Sequence, residues 1–167
     1  MKIFKNYKSI FKYTKNSILV IGNLDGVHKG HQQIIRSAKN ISLKHKRKIG
    51  ILLFDPHPKR YFRTSDKEFL LTDLSSRCEI LENQKIDYVV ILKFDKSIAH
   101  MTPDDFCNKI LFSGIRMSHV FVGTNFRFGK KRSGDYKFLY SFGKKNNFTV
   151  KPIKLIKTSS SLSSKTN

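Results

Sequence analysis

Four short runs in this chain are apolar almost throughout: SILVIG (17–22), KIGILLF (48–54), DYVVILKF (87–94) and HVFVG (119–123), and FTVKPIKLI (148–156) closes the series. Strands with one wet face alternate apolar and polar residues. Runs without that alternation belong to strands buried on both faces, the arrangement of a parallel sheet covered by helices. The segments between the runs read as those helices. Ile34, Ile35, Ala38 and Ile41 share one helical face, and Thr72-Asp73 is a cap for a helix carrying Leu74, Cys78 and Leu81. Thr102-Pro103-Asp104-Asp105 joins a cap, a proline at the first helical position and two acids at the positive dipole end, and the helix continues through Ile110, Leu111 and Ile115. Phe138, Leu139 and Phe142 mark a last helix. The expected fold class is α/β, a parallel sheet of about five strands with helices on both faces.

In such sheets ligands bind beyond the carboxyl ends of the strands. The three segments with unusual chemistry, 22–31, 55–60 and 123–135, all follow strands and are expected on that one edge. In IGNLDGVHKGHQQII (21–35), His28 and His31 flank Gly30 where the helix begins. Free backbone N–H groups and the helix dipole favour an anion there, and imidazoles three residues apart can donate to one phosphate. The chemistry implied is stabilisation of charge on a phosphoryl group in transit. A zinc site is the first alternative, though no carboxylate or cysteine is suitably spaced, and a pair of solvated loop histidines is the second. In FDPHPKRYF (54–62), the prolines block a helix and predict a rigid extended loop holding Asp55 and His57, with Phe54, Tyr61 and Phe62 offering surface to an aromatic ligand. A merely stiff loop is the alternative. VGTNFRFGKKRSGD (122–135) combines three glycines and two aromatics with Arg127, Lys130, Lys131 and Arg132. It suits a flat anionic ligand, and equally an ordinary basic surface loop or part of a nucleic-acid patch.

Charge agrees with an anionic ligand without choosing one. Lys and Arg number 33 against 12 Asp and Glu, a net +21 over 167 residues, so the surface carries a field that attracts polyanions. The abundance of Lys, Asn, Ile and Phe is as compatible with a coding bias as with a function. A chain of this length and 39% apolar content supports one core. Two cysteines, Cys78 and Cys107, make no disulfide framework. The N-terminal apolar run, Ile18 to Ile21, is far short of the ~20 residues of a membrane span or the ~7–15 of a signal sequence. A soluble cytoplasmic protein without a membrane partner is expected.

Taken together, GNLDGVHKGH, FDPHP and VGTNFRFGKKRSGD resemble the adenylyltransferase module of bacterial FAD synthetases, the bifunctional riboflavin kinase/FMN adenylyltransferases, over about residues 17–161. The resemblance implies the Rossmann-like HxGH nucleotidylyltransferase fold. It also implies the reaction of ATP with FMN to give FAD and pyrophosphate, with Mg2+ accompanying ATP and no tightly bound cofactor or protein-held metal. Carried over by position, His28 and His31 are the catalytic residues. Gly22, Asn23, Asp25, Gly26, Gly30, Gly123, Asn125, Phe126 and Arg127 serve the nucleotide, as do Ser159, Ser160 and Ser161. Asp55, His57, Pro58 and Phe128 serve the flavin.

Two departures stand out. Leu24 replaces the phenylalanine of GNFDG. In the C-terminal family signature, I/V-S-S-T-x-I-R, the serines match but Ser164 occupies the arginine slot, and Lys165 reaches it only by a shift of register. A lysine does not replace a bidentate guanidinium. Loss of one transition-state donor costs roughly 10²–10³ in rate, so a slow enzyme is the expectation. The reading divides the chain into an FMN adenylyltransferase-like domain over 1–157 and a Ser-rich tail, 158–167, holding the degraded motif. No PTAN-type kinase signature occurs, so the riboflavin kinase domain is expected to be absent and a separate riboflavin kinase to supply FMN. Rival readings are phosphopantetheine or nicotinamide mononucleotide as acceptor, and a non-catalytic nucleotide- or nucleic-acid-binding remnant whose contact with nucleic acid is electrostatic and non-specific.

Overall fold

The computed structural model describes residues 1–24, 29–62 and 73–156. Its main sheet is parallel throughout, with six strands: β1 (Lys2–Phe4), β2 (Ile18–Ile21), β3 (Ile49–Asp55), β4 (Tyr88–Lys93), β5 (His119–Gly123) and β8 (Thr149–Ile153), in the order β1-β4-β3-β2-β5-β8. Five of these are the expected strands. The sixth, β1, is an addition: only three residues long, with Lys2 and Ile3 exposed, it carries no apolar run to betray it and joins the sheet edge through Tyr88, Val89 and Val90. Ile18 pairs with Ile49 on one side of β2 and with His119 on the other. From β2 the chain therefore builds the sheet outward through β3 and β4, then returns to add β5 and β8 on the opposite side. The doubly wound order makes the gap between β2 and β5 the topological switch point.

Both faces of the sheet are covered, as strands without alternation require. Leu19, Ile21, Leu52, Val90 and Val122 pack on one face against Phe106, Ile110, Leu111 and Leu139. Ile18, Val20, Ile51, Leu53 and Phe121 pack on the other against Ile34, Ile35 and Ala38 of α2 (Lys29–His45) and Leu81 of α4 (Leu74–Asn83). A short α1 (Phe11–Thr14) precedes β2, and α5 (Lys96–Ala99) follows β4.

Helix starts follow the capping chemistry. The Asp73 carboxylate accepts the Ser76 N–H at 2.7 Å at the head of α4. Thr102 Oγ1 accepts the Asp105 N–H at 3.1 Å at the head of α6 (Pro103–Asp105), which runs on as a π-helix over Phe106–Ile115. The Asp135 carboxylate accepts the Phe138 N–H at 2.9 Å and opens α7 (Tyr136–Lys145). Two local expectations change. Pro58 does not extend the loop after β3 but begins a short helix, α3 (Pro58–Phe62), because a proline at the first helical position forfeits no hydrogen bond. The glycine-rich segment after β5 contains a small antiparallel ribbon, β6 (Arg127–Phe128) with β7 (Gly134–Asp135), around a 3-10 turn at Lys130–Arg132.

Both cysteines are free thiols, and burial pushes the Cys107 thiol up to about 12, which leaves it inert. Among the described residues no helix is long and apolar enough to cross a membrane.

Candidate functional site

Beyond the carboxyl ends of β2, β3, β4 and β5 lies a cavity of about 620 Å³. Three segments singled out by their chemistry reach it: Gly22, Asn23 and His31 after β2, His57 and Pro58 after β3, and Gly123, Asn125, Phe126, Arg127 and Phe128 after β5. Of the described residues singled out in the sequence, Gly30, Asp55, Tyr61 and Lys130 do not line it. Gly30 is buried within the first turn of α2, and Asp55 ends β3, where its carbonyl accepts the Phe94 N–H at 2.9 Å. Asp25, Gly26, His28, Ser159, Ser160 and Ser161 lie outside the described residues, as do Ser164 and Lys165.

Each wall has a local physical origin. His31 stands in the first turn of α2, where the N–H groups and dipole of the helix meet the cavity. Asn23 is fixed by its own oxygens: Oδ1 accepts the Phe54 N–H at 3.0 Å, and the backbone carbonyl accepts Nη1 of Arg77 at 2.7 Å. Leu24 follows with φ 51°, a left-handed backbone that a leucine adopts only under constraint, and is buried. Nδ1 of His57 accepts the Lys59 N–H at 3.1 Å, which places the proton of the neutral ring on Nε2. A Cβ at Gly123 would sit 2.8 Å from Asn125 Oδ1, so the strand end and the Asn125 side chain meet over a bare backbone and a larger residue would displace that side chain. The basic loop is tied down by the Lys130 N–H, which donates to the Met101 carbonyl at 2.7 Å.

The cavity wall carries two kinds of side-chain chemistry. One is aromatic. Phe126 and Phe128 stack at 5.4 Å and 16°, Phe128 leans on Phe106 at 5.0 Å, and the series continues through Phe54 to Phe94, against which Tyr61 and Phe62 pack at 5.3 and 5.9 Å. Such faces bind a flat ring system by stacking. The other is cationic: Lys59, Arg127, Lys131 and Arg132 line the wall, and no Asp or Glu does so among the described residues. Nor does any group of three or more His, Cys, Asp or Glu side chains among them suit a metal ion. The cationic side chains on the wall fit an anion.

The sequence reading missed Ile34, Phe94, Ile98, Ala99, Phe106 and Leu155 on this wall. For Phe94, Ile98 and Ala99 a signal existed, because they follow a strand just as the other loops do. Phe106 and Ile34 carried none, since an apolar residue on a helix reads as core.

The fold of this chain matches that of a Streptococcus pneumoniae protein described as a macrolide-efflux protein, at a TM-score of 0.78 and 21% identity over 94% of this chain and 50% of the other. The bifunctional riboflavin kinase/FMN adenylyltransferase of Buchnera aphidicola from Schizaphis graminum is 30% identical over 150 residues, 90% of this chain and 48% of its own length. The proteins of the same description from Haemophilus influenzae and Escherichia coli K12 are 29% identical over 90% of this chain and 32% identical over 80% of it. The chain spans about half the length of the curated relatives it matches. A family model described as FAD synthetase matches residues 10–167. By that match, nearly end to end, this chain belongs to the FAD synthetase family.

Proposed function

We propose that the chain is an FMN adenylyltransferase, forming FAD and pyrophosphate from FMN and ATP. The observation that carries this reading is the pairing of aromatic side chains with four cations on the wall of one cavity of about 620 Å³, which no Asp or Glu lines among the described residues, within the range of pockets that hold small ligands. An isoalloxazine ring matches the aromatic side chains, and the phosphates of both substrates match the cations.

In the reaction a phosphate oxygen of FMN forms a bond to the α-phosphorus of ATP while the bond from that phosphorus to the bridging oxygen breaks, and the electron pair leaves with pyrophosphate. No covalent enzyme intermediate is needed. The protein's task is to align two anions that repel each other and to stabilise charge as it moves to the leaving group. Helix N–H groups at the start of α2, the His31 imidazole and the loop cations serve that task, joined by His28. Magnesium enters as part of the nucleotide substrate. Asn125 and Phe126 serve the nucleotide, and His57, Pro58 and Phe128 the flavin. FMN comes from riboflavin kinase activity, in relatives part of the same polypeptide by their description.

The test is production of FAD and pyrophosphate by the purified chain from FMN, ATP and magnesium. The wild type should form both, and His31→Ala should lose at least 10² in kcat. ATP and FMN bound without turnover would make the chain a nucleotide-binding remnant of the family. The net charge of +21 favours that second reading if the chain also binds RNA with an affinity that falls steeply with salt.

A further inference from the structure

We infer that Arg77, a residue of α4 outside the cavity wall, is a positioning residue for the nucleotide: it braces the loop after β2 and supplies a buried positive charge that the polyanionic ligand compensates. Arg77 is fully buried and is the one charged side chain so placed among the described residues. Nη1 donates to the Asn23 carbonyl at 2.7 Å. Nε and Nη2 are buried without a hydrogen-bond partner, and no carboxylate among the described residues forms an ion pair with this guanidinium. Asp73, one turn earlier on the same helix, has its carboxylate engaged by the Ser76 N–H.

A guanidinium held away from water with one carbonyl as its hydrogen-bond partner, and only a through-space attraction to the Asp73 carboxylate, whose pKa it helps the Ser76 N–H to lower, is a burden to the free protein. Its location explains what it is for. Asn23 lines the cavity and Arg77 stands behind it, one peptide group from the ligand space. The Asn23 carbonyl is drawn onto Arg77 and its Oδ1 onto the Phe54 N–H, so both oxygens of this residue are occupied by protein donors rather than left to repel an anion. The unsolvated charge acts through a low-dielectric layer, where it weighs more on a triphosphate than a surface lysine does. The same bond fixes the direction in which the chain leaves β2, at the residue before the left-handed Leu24.

This inference rests on the adenylyltransferase reading only for its activity readout; its main measurement is ATP binding. ATP dissociation constants, melting temperatures and FAD formation would be measured for the full chain, Arg77→Met and Arg77→Lys. The Met variant keeps the apolar stem and removes the charge. It should bind ATP about tenfold more weakly or worse, raise KM for ATP more than it lowers kcat, and melt no lower than the wild type. The Lys variant, which keeps the charge, should recover most of the affinity. A Met variant that fails to fold, or melts lower with ATP affinity intact, would make Arg77 a structural brace and overturn the inference, as would a Lys variant no better than Met. A wild type that binds ATP but forms no FAD overturns the adenylyltransferase reading and leaves the Arg77 comparison standing.

Discussion

Asn23 Oδ1 accepts the backbone N–H of Phe54 at 3.0 Å, so one side chain ties the loop after β2 to the end of β3. Phe54 is buried, and Asn23→Ala would leave its N–H without an acceptor. The expected cost is about 1–3 kcal/mol of stability. Because both loops lose their common tether, KM should rise for FMN as well as for ATP. Urea unfolding together with steady-state kinetics in both substrates checks this; a rise confined to ATP would mean that the two loops are held independently.

Gly50 lies against the ring of Tyr88, where an added Cβ would fall 2.1 to 2.4 Å from three ring carbons. The ring has nowhere to go: Tyr88 is fully buried, and its hydroxyl is 2.6 Å from Ser17 Oγ. Gly50→Ala should therefore destabilise by about 1–3 kcal/mol or more through overpacking, and Tyr88→Phe by about 0.5–1.5 kcal/mol through loss of the hydrogen bond. In the Gly50→Ala/Tyr88→Leu double variant the steric part should be relieved, giving clear non-additivity in chemical denaturation.

Much of this molecule was legible in the sequence, for a reason that also sets the limit. Strands β2, β3, β4 and β5 are buried on both faces, so their residues have little choice but to be apolar, and the capping residues Asp73 and Thr102 announce helix starts by local chemistry. The edge strand β1 is mostly solvent-exposed and left no comparable mark. Pro58 was ambiguous because the same residue that stiffens a loop also opens a helix. In the site, His31, His57 and the Gly123 to Phe128 segment were visible as unusual residues after strands, whereas Phe106 and Phe94 wore the composition of the core. Arg77 was invisible, since nothing in LSSRCEIL distinguishes an arginine that points into the protein from one in water.

Lys131 and Arg132 line the cavity from consecutive left-handed positions, at φ 55° and 57°. A non-glycine residue is strained there by roughly 1–2 kcal/mol, while glycine pays about 0.5–1 kcal/mol more in chain entropy. Lys131→Gly should thus change stability by only about 0–1.5 kcal/mol, in the stabilising direction, yet remove a cation from the cavity wall. The expected signature is a protein that melts no lower than the wild type but has a higher KM for ATP, with the difference shrinking as salt screens the remaining charges. Equal KM values at low ionic strength would show that Lys131 does not meet the nucleotide.

Stability should depend on pH through His119, at the opposite, amino-terminal end of β5. Burial lowers the pKa of its imidazole, and the nearby positive charges of Arg47, His45 and Lys151 lower it further. Its ring stacks on His45 at 5.8 Å, and its Nδ1 lies 2.9 Å from Ser118 Oγ. With the folded pKa below the unfolded value of about 6.5, the unfolded chain takes up this proton first as pH falls. The contribution is therefore fully present above about pH 6.5, declines as pH drops toward the folded pKa, and is gone below it. His119→Gln, which cannot protonate, should flatten that part of the stability profile between pH 8 and 5, and FAD formation measured at pH 8 should be unaffected because the cavity lies at the other end of the strand. An unchanged slope in the variant would assign the acid sensitivity to a different group.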